Sequence, residues 1–565
     1  MSSQAAAPVE VRLLTGPNLY FPRPAVKLTL DAAGAMAADP ATFSGWQRAT
    51  GAGGAAGLPG SSARADATAA LAAAVARRAG AAIRTRLPVV GRIGDDETVV
   101  VAFPYRHRGT AEAFARAVAE AFGQIVTGVV APRAAVAAVR TVMAGVQPGE
   151  TVRAIRPRIP VIAVTGTNGK TTTTRLISHL LATDGQVPGW SSTDGIVIAG
   201  EVVESGDWSG PGGAGRVLSD PRVTVAVTET ARGGILLRGV GTAVNDVSVI
   251  TNVSADHLGL LGVHTLAQLA EVKSVVARIT KPTGWTVLNA DDPLVRDMRL
   301  VSRAKPWFFS PDPENPYLPE ALDGGGRAIT VQDGVIVVLA LGLDPRPVVP
   351  VAEVPLTMAG ASRVNLENVL AATAAALAAG VSEQAVAAGL RSFLPDAAHN
   401  SGRLNCYLLN STVVVLDLAH NEASLDSLLD VAEALRLPGG ELAVVAATAG
   451  DRPDEAIHAM GVMVGSRADR MVVAGMHKYL RGRAVEEMDD VWSGGAAESG
   501  MVEVGRAGTE LVALTQLLDA DLPQGSVIAV CTLEDRDEMA AEVLARGGHA
   551  MSPGEIAARV TPAAT

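Results

Sequence analysis

The feature that most restricts the fold of this chain is an apolar segment that runs into a glycine-containing turn. Val161–Val164 has the composition of a buried strand, and a helix is predicted over residues 171–182. Turn amides and the positive end of that helix would form a cradle for phosphate, and Lys170 adds a mobile charge. Thr171 can offer its hydroxyl to phosphate-bound Mg²⁺. The predicted nucleotide-binding loop consists of Gly166, Thr167, Asn168, Gly169, Lys170, Thr171 and Thr172.

This loop departs from the general phosphate-loop motif at one position. Five residues before Gly169 stands Val164, where the general motif has glycine. A plain glycine-containing turn between a strand and a helix is therefore the alternative interpretation. We favour nucleotide binding because strand, turn and helix follow one another in the order that the mechanism requires.

From Pro160 onward, short apolar segments alternate with amphipathic ones. This pattern predicts a parallel sheet flanked by helices, in a central P-loop domain followed by a Rossmann-like α/β domain. The central strands are predicted at Val223–Val227, Val247–Ile250 and Thr286–Leu288, in addition to Val161–Val164. From about His399 a second α/β unit begins, with strands predicted at Val413–Leu416, Leu442–Ala446, Arg470–Val473 and Val527–Val530.

The first 150 residues predict a small α+β domain. Its strands are expected at Val11–Leu14, Val26–Leu30 and Thr98–Phe103, and its helices at Ala67–Arg78 and Thr110–Phe122. Ser44–Ser62 is rich in glycine, alanine and serine and predicts a mobile loop, and Pro148–Pro160 reads as a linker. The predicted boundaries are 1–148 for this domain, 149–159 for the linker, 160–398 for the central domain and 399–565 for the C-terminal domain.

Composition restricts the class of partner and the compartment. The chain has 47 Lys and Arg against 58 Asp and Glu, a formal charge of −11, which argues against nucleic acid but not against a small anion. Cys406 and Cys531 are the only cysteines, so a disulfide framework is excluded and a reducing cytoplasm is expected. We find no signal-peptide pattern near Met1 and no apolar run of the roughly 20 residues that cross a bilayer.

A series of motifs across about residues 160–490 resembles the Mur ligase superfamily, and most closely its cyanophycin synthetases. Beyond the phosphate loop, the matching segments are Ser192-Thr193-Asp194-Gly195-Ile196, Glu229-Thr230-Ala231-Arg232-Gly233-Gly234, Thr251-Asn252-Val253, Asp256-His257-Leu258-Gly259, Leu288-Asn289-Ala290-Asp291-Asp292, Gly402-Arg403-Leu404-Asn405, Gly450-Asp451-Arg452-Pro453 and Leu480-Arg481-Gly482-Arg483. The resemblance implies an ADP-forming, ATP-dependent acid–amino acid ligase, which activates a carboxylate as an acyl phosphate for attack by an amine.

Gly16-Pro17-Asn18 also resembles the opening of the N-terminal domain of cyanophycin synthetases. In that family an ATP-grasp domain lies between the N-terminal domain and the Mur-like half. The roughly 150 residues before the phosphate loop are too few for both. We therefore expect the ATP-grasp module to be absent, and synthesis of complete cyanophycin by this chain alone is not expected.

The resemblance assigns the metal and the catalytic chemistry to five residues. It implies that Glu229 and His257, with Thr171, hold Mg²⁺, and that Lys170 binds phosphate. Asp256 is expected to orient His257. Lys273 resembles a lysine that is carbamylated in several Mur ligases, and the alternative is a surface helix lysine.

Further residues are implied for the nucleotide. Asn289 and Asp292 resemble residues near the adenine, although an Asx-rich turn explains them almost as well. Arg403 resembles an arginine that contacts phosphate, and Asp417 resembles the acid that binds ribose. Asn365 and Asn368 resemble an asparagine pair near the domain boundary, which helix capping or packing also explains.

The resemblance leaves the substrates open. Candidate substrate residues are Thr193, Asp194, Thr230, Arg232, Arg238, His420, Asn421, Asp451, Arg452, Lys478 and Arg481. The expected partners are a carboxylate and an amine or amino acid, without nucleic acid or membrane, and cyanophycin synthetases assemble as homo-oligomers. Two alternatives to such a ligase are a non-catalytic nucleotide-binding scaffold and a folylpolyglutamate-like ligase.

Overall fold

The computed structural model describes residues 9–501 and 504–560. The strands before residue 160 are β1 (Glu10–Leu14), β2 (Ala25–Asp31), β3 (Val90–Ile93) and β4 (Thr98–Pro104). The helices of this part are α1 (Ala33–Ala37), α2 (Pro40–Thr50), α3 (Ser62–Ala82), α4 (Arg108–Val126) and α5 (Pro132–Met143).

The next strands are β5 (Val161–Thr165), β6 (Pro188–Ser192), β7 (Gly195–Ile198), β8 (Glu201–Ser205), β9 (Val225–Glu229), β10 (Asn245–Ile250), β11 (Thr280–Asn289), β12 (Lys305–Phe309), β13 (Arg327–Gln332), β14 (Val335–Ala340) and β15 (Arg346–Pro350). Their helices are α6 (Lys170–Thr183), α7 (Pro211–Leu218), α8 (Arg232–Arg238), α9 (Leu266–Arg278), α10 (Pro293–Arg296), α11 (Leu318–Asp323), α12 (Arg363–Ala378), α13 (Glu383–Ser392) and α14 (Ala397–Asn400).

The remaining strands are β16 (Asn405–Leu409), β17 (Thr412–Asp417), β18 (Leu442–Ala446), β19 (Arg470–Ala474), β20 (Val504–Ala507), β21 (Val527–Cys531) and β22 (His549–Ala550). The remaining helices are α15 (Glu422–Leu435), α16 (Asp454–Arg467), α17 (Val485–Glu498), α18 (Glu510–Asp519), α19 (Arg536–Ala545) and α20 (Pro553–Arg559).

The chain divides into two compact units. The first unit runs up to Val161 and includes Ser191–Asn245 and Gly259–Lys281. The second unit contains Ile162–Trp190, Asp246–Leu258 and the described residues from Pro282 onward. The phosphate loop and the C-terminal α/β segment both belong to the second unit.

The N-terminal part of the first unit is an antiparallel sheet in the order β1-β2-β4-β3. Alternate residues of β2 point to opposite faces, so Val26, Leu28 and Leu30 are buried in a core with residues of α3 and α4. This arrangement confirms the predicted α+β domain. The predicted strands and helices of this part are all present, and β3, α1, α2 and α5 were not predicted.

The prediction of a mobile loop over Ser44–Ser62 is wrong for residues 44–50, which are helical, whereas residues 51–61 do form a loop. Its first part belongs to α2, which Asp39 caps by accepting hydrogen bonds from the backbone amides of residues 41 and 42. The rest is held by the fully buried Arg64, whose guanidinium donates to the carbonyl oxygens of Ala56 (2.6 Å) and Gly57 (2.9 Å). The composition of this segment does not reveal the contacts that Asp39 and Arg64 make with its backbone.

The predicted linker contains no helix and runs as an extended segment that belongs to the first unit. The amide of Val152 donates to the carbonyl of Arg106 at 2.9 Å, and the amide of Ala243 donates to the carbonyl of Ile155 at 2.7 Å. Backbone hydrogen bonds therefore fix this segment at both positions.

In the second unit, neighbouring strands follow the order β15-β14-β13-β12-β11-β10-β5. Strand β10 is parallel to β5, and β12 is parallel to both β11 and β13, whereas β13, β14 and β15 pair antiparallel. The C-terminal sheet has the order β20-β19-β18-β21-β17-β16-β22 and is parallel from β20 to β17. The parallel strands are almost entirely buried, as expected when both faces are covered. These sheets confirm the predicted α/β class.

The predicted strand over Val223–Val227 is displaced by two residues. The observed β9 spans Val225–Glu229, so Glu229 is the last residue of the strand rather than a residue beyond it. In the described part of the chain, no helix is both long and apolar enough to cross a membrane.

Candidate active site

The phosphate loop connects β5 to α6 in the second unit. Gly169 precedes the helix with a φ of +83°, in the left-handed region that favours glycine. A Cβ at this position would lie 2.1 Å from Oδ1 of Asn368, so a side chain has no room there. The turn is therefore fixed both by its backbone conformation and by the asparagine that packs against it.

The loop is held in shape by Asn252, which follows β10. Its Oδ1 accepts a hydrogen bond from the amide of Asn168 at 2.9 Å, and its carbonyl accepts one from the amide of Thr167 at the same distance. The hydroxyl of Thr251 donates to the carbonyl of Asn168 at 2.6 Å. The sequence motif included Asn252, but its supporting role follows only from these contacts.

A cavity of about 280 Å³ lies over the phosphate loop in the second unit. It is lined by Lys170, Thr171, Arg403, Asp417 and Glu367, among other residues. The structure thus brings together residues that are as much as 250 positions apart in the chain. Two residues that the sequence suggested for ATP by resemblance, Arg403 and Asp417, lie in this wall.

Two cations stand at the phosphate end of the cavity. Nζ of Lys170 donates to the carbonyl of Thr167 at 2.7 Å. Arg403 places Nη2 at 3.4 Å from the hydroxyl oxygen of Thr171, which is itself buried. The first turn of α6 points its positive end at the same space, so an anion is favoured there.

Two acids also line the cavity. Burial raises the pKa of Asp417 to about 6, although the positive charge of Arg403 lowers it in part. Oδ2 of Asp417 accepts a hydrogen bond from the amide of Leu404 at 2.9 Å. Burial likewise raises the pKa of Glu367 to about 7, against the nearby Arg363. The sequence analysis missed Glu367, although its place between Asn365 and Asn368 on α12 was a usable signal.

Asn289 and Asp292 both make structural contacts. Nδ2 of Asn289 lies 3.0 Å from the carbonyl of Thr251 and 3.5 Å from Oε2 of Glu367. Asp292 caps α10 through Oδ1 and accepts the amide of Val253 through Oδ2 at 2.6 Å. The turn interpretation of this motif therefore has direct support, and contact with adenine stays a prediction.

The asparagine pair on α12 faces the loop. Nδ2 of Asn368 donates to Oδ1 of Asn365 at 3.3 Å, and Oδ1 of Asn368 accepts from the hydroxyl of Thr173 at 3.3 Å. Asn368 thus contacts α6, and Nδ2 of Asn365 donates to the carbonyl of Leu356 at 3.1 Å, so packing accounts for both buried residues. Both also line the cavity over the phosphate loop, so a role near the nucleotide stays a prediction.

His257 is held by residues of the C-terminal segment. Its Nδ1 lies 2.8 Å from Nη1 of Arg452 and 3.1 Å from Oδ2 of Asp451, whereas Asp256 approaches Nε2 only to 3.8 Å. At that distance Asp256 makes no hydrogen bond to the ring, and the expectation that it orients the ring stays a prediction. A hydrogen bond from His257 lowers the pKa of Asp451 to about 2.

Arg452 is the centre of a buried polar cluster. Its side chain is 4% exposed, pairs with Asp256 at 2.8 Å and donates from Nε to the carbonyl of His420 at 3.1 Å. Burial lowers the pKa of His420 to about 4, which favours a neutral imidazole. The guanidinium is thus engaged within the protein, whereas Lys478 and Arg481 are exposed.

The remaining predicted residues lie in the first unit. Glu229 is 1% exposed at the end of β9, and Thr230 is also buried. Arg232 and Arg238 are the first and last residues of α8, and Thr193 and Asp194 form the turn between β6 and β7. Lys273 is 3% exposed on α9, so the alternative of a surface lysine is wrong.

Mg²⁺ is the metal that the predicted chemistry implies. Within residues 9–501 and 504–560, no cluster of three or more His, Cys, Asp or Glu side chains is arranged to hold a metal. Mg²⁺ commonly takes one or two protein oxygens and completes its shell with phosphate and water. Each taken by itself, the hydroxyl of Thr171 and the carboxylate of Glu229 are oxygen donors of this kind.

Comparisons with known proteins agree with this geometry. Residues 164–376 match the Mur ligase middle domain, and residues 402–532 match the Mur ligase glutamate ligase domain. A cyanophycin synthetase from Crocosphaera subtropica is 40% identical over 334 residues, which are 59% of this chain and 38% of that protein. A UDP-N-acetylmuramoylalanine–D-glutamate ligase from Geobacillus kaustophilus is 32% identical over 234 residues, 41% of this chain and 43% of the ligase.

The match thus spans well under half the length of these curated relatives. Among solved structures, a bifunctional folylpolyglutamate synthase/dihydrofolate synthase with Mn, AMPPNP and L-glutamate bound has a TM-score of 0.50 at 18% identity, covering 68% of this chain and 89% of that one. This likeness concerns the fold alone. Through its middle and C-terminal domains, the chain belongs to the Mur ligase superfamily.

Proposed function

We propose that the protein is an ATP-dependent ligase that joins a carboxylate to an amine and releases ADP and phosphate. The observation that carries this proposal is the cavity over the phosphate loop, in which Lys170, Arg403 and Asp417 face one space. Two cations and a carboxylate in one cavity suit the phosphates and the ribose of a nucleotide. Membership of the Mur ligase superfamily supports the same reaction class.

The proposed reaction has two steps. A carboxylate oxygen of the acceptor attacks the γ-phosphorus, and the bond to the bridging oxygen breaks. ADP is released, and the acceptor becomes an acyl phosphate. The amine nitrogen then attacks the acyl carbon, phosphate leaves, and the nitrogen loses a proton to form the amide. Lys170 and Arg403 would neutralise the charge that develops on the transferred phosphoryl group.

Mg²⁺ is proposed to be held by Thr171 and Glu229, with His257 as a further ligand. When bound, the ion would polarise the phosphoryl oxygens and orient the phosphates. Nδ1 of His257 lies 3.1 Å from Oδ2 of Asp451, and in the tautomer in which Nδ1 donates to that oxygen the lone pair of Nε2 is free, so Nε2 is the ring atom proposed to face the ion. The aspartate would then fix the orientation of the imidazole.

Lys273 is proposed to act as a carbamylated residue that supplies a carboxylate to the metal or the phosphates. Carbamylation requires the neutral amine, and burial of the ammonium group favours that form. Its 3% exposure supports the proposal, since a solvated helix lysine would stay charged.

The substrates are proposed by class. Thr193, Asp194, Thr230, Arg232 and Arg238 are proposed for the acceptor carboxylate. Asn421, Asp451, Lys478 and Arg481 are proposed for the amine substrate, with His420 and Arg452 supporting them from the buried cluster. Exposed cations at positions 478 and 481 suit the carboxylate of an incoming amino acid. A cytoplasmic location and assembly as a homo-oligomer are proposed with them.

The decisive experiment is a screen of carboxylate and amine pairs for release of ADP and phosphate from ATP. A ligase releases ADP only when both substrates of a pair are present, and the product carries a new amide detectable by mass spectrometry. Tight ATP binding without turnover on any pair would favour a non-catalytic scaffold. Turnover confined to a folate acceptor with glutamate would favour the folylpolyglutamate-like alternative.

A further inference from the structure

The face of the N-terminal sheet that points away from its helices borders a cavity of about 850 Å³ in the first unit. Lys27, Thr29 and Asp31 of β2 lie on this face because they alternate with the buried Val26, Leu28 and Leu30. Residues of α8, of α9 and of the segment 261–263 form other parts of the wall. The sheet is therefore directly associated with two helices of the Mur ligase middle domain.

Arg92 of β3 makes the most specific contact across this region. Its Nη1 lies 2.8 Å from Oε2 of Glu271 on α9, and its Nη2 lies 2.6 Å from Oε1. The guanidinium carbon also lies 5.5 Å from the ring centre of Tyr20. A forked pair of hydrogen bonds fixes orientation as well as distance, so it constrains the middle of the helix.

A second contact fixes the start of the same helix. Oδ1 of Asp95, in the turn between β3 and β4, lies 2.6 Å from Nε2 of His264. The next residue, Thr265, caps α9 and forms a capping box with Gln268. Two elements of the N-terminal sheet therefore hold α9 at its start and about two turns further along.

The Gly16-Pro17 motif holds the neighbouring helix α8. The amide of Thr15 donates to the carbonyl of Arg238 at 2.8 Å, and the amide of Val240 donates to the carbonyl of Pro17 at 2.7 Å. A Cβ at Gly16 would lie 1.9 Å from the carbonyl oxygen of Val240, so the two backbones are in direct contact. Because α8 packs against β1 and against α9, the sheet and both helices form one packed assembly.

Lys273 lies on the face of α9 that is turned away from the N-terminal sheet. Glu271 faces the N-terminal sheet with a side chain 39% exposed, whereas Lys273, two residues later, is buried. Two positions correspond to about 200° around a helix, so the two side chains point in nearly opposite directions. Any rotation or shift of α9 that Arg92 prevents would displace the amine of Lys273.

We propose that the N-terminal sheet is a positioning element of the ligase, in which Arg92, through Glu271, sets the position of the helix that carries Lys273. This inference rests on the role proposed above for Lys273. It gives the N-terminal domain a function in the middle domain of its own chain, independent of any substrate that the cavity binds. Arg92 is a positioning residue, because its contact is with α9 and not with the reacting atoms.

The test uses the full chain and four variants. Arg92→Ala removes the contact, Arg92→Glu reverses one charge, and Arg92→Glu with Glu271→Arg restores the pair in the opposite sense. Arg222→Ala is the matched control, because it removes an exposed arginine of the same unit that pairs with Asp220. Hydrogen exchange of residues 266–278 is measured against residues 170–183, together with kcat and KM on a substrate pair that releases ADP.

The expected result is a local loosening of α9 with a loss in kcat. Arg92→Ala should lower kcat by about 10–100-fold, because small displacements of a catalytic group are costly, while KM for ATP changes by less than about twofold. Exchange over 266–278 should rise about tenfold and that over 170–183 should not change. The double variant should recover both readouts to within about threefold of the wild type.

Unchanged exchange and unchanged kcat in Arg92→Ala would overturn the inference. A loss that the reversed pair does not recover, or that Arg222→Ala reproduces, would also overturn it. If the wild type releases no ADP with any substrate pair, the proposed reaction fails, and the exchange of 266–278 still decides whether Arg92 holds α9.

Discussion

The side-chain amides of Asn168 and Asn421 exchange two hydrogen bonds, at 3.2 and 3.1 Å. Asn168 lies in the phosphate loop, and Asn421 caps helix α15 of the C-terminal domain. A reciprocal pair of this kind uses a donor and an acceptor of each amide. Within the second unit, this pair joins the loop to the C-terminal domain in addition to the contact between Arg403 and Thr171, and its loss can be measured.

Replacing Asn421 should separate helix capping from the contact with the loop. Asn421→Ala loses both and should cost about 1–2 kcal/mol of unfolding free energy, whereas Asn421→Ser keeps a capping oxygen and should cost less than about 1 kcal/mol. Both variants should weaken ATP binding about equally, because neither can pair with Asn168. Thermal unfolding and calorimetric titration with ATP provide the two readouts, and full ATP affinity in either variant would contradict the role of the pair.

Lys170→Met should abolish nucleotide-dependent activity without unfolding the protein. Loss of one preorganised cation at a phosphoryl group typically lowers rates by about 100–1,000-fold. The only hydrogen bond described for its ammonium group goes to the carbonyl of Thr167, so thermal stability should change little. Lys305→Met, at an exposed lysine of the same unit, is the control and should keep full ATP affinity.

Gly169→Ala should disrupt the phosphate loop more than a matched glycine replacement elsewhere. Its Cβ would meet Oδ1 of Asn368 at 2.1 Å, in addition to the strain of a φ of +83°. Gly185 has a φ of +80° and no atom within 4 Å of the added Cβ, so Gly185→Ala reports the strain alone. We expect about 1 kcal/mol for Gly185→Ala and at least about 2 kcal/mol more for Gly169→Ala in chemical denaturation. Equal losses of unfolding free energy in the two variants would show that the side chain of Asn368 can move away from the added Cβ without destabilising the protein.

Glu367 should make stability fall as the pH rises. Burial raises its pKa to about 7 from an ordinary value of 4.5, so between these values the folded state binds a proton that the unfolded state has released. The unfolding free energy should therefore decrease from pH 4.5 to 7 and level off above. Glu367→Gln should flatten this window and be the more stable protein at pH 8, whereas the exposed Glu498→Gln should follow the wild type. A profile unchanged by Glu367→Gln would contradict the assignment.

Most strands were predictable because each is a short apolar run, and β18 was predicted at its observed bounds, Leu442–Ala446. Helix α2 was missed because its alanine, glycine and serine resemble a loop, and Phe43 and Trp46 show their role only when buried. The candidate site depends on pairs such as Asn168 with Asn421, which are 253 positions apart. No local spacing in the sequence predicts such a pair. The resemblance therefore identified candidate site residues, and the structure showed which of them are in contact.

The close approach of Gly16 to Val240 limits how far this protein can be treated as a set of interchangeable modules. The order of domains along the chain suggests that the first 148 residues could be excised or exchanged as a cassette. Such a cut would remove the backbone partners of Arg238 and Val240 and expose both to competition from water. A transplanted domain would have to reproduce a glycine at the contact and the register of the following proline. The N-terminal segment and residues 238–240 are therefore matched to each other in geometry, and neither can be exchanged alone without loss of these contacts.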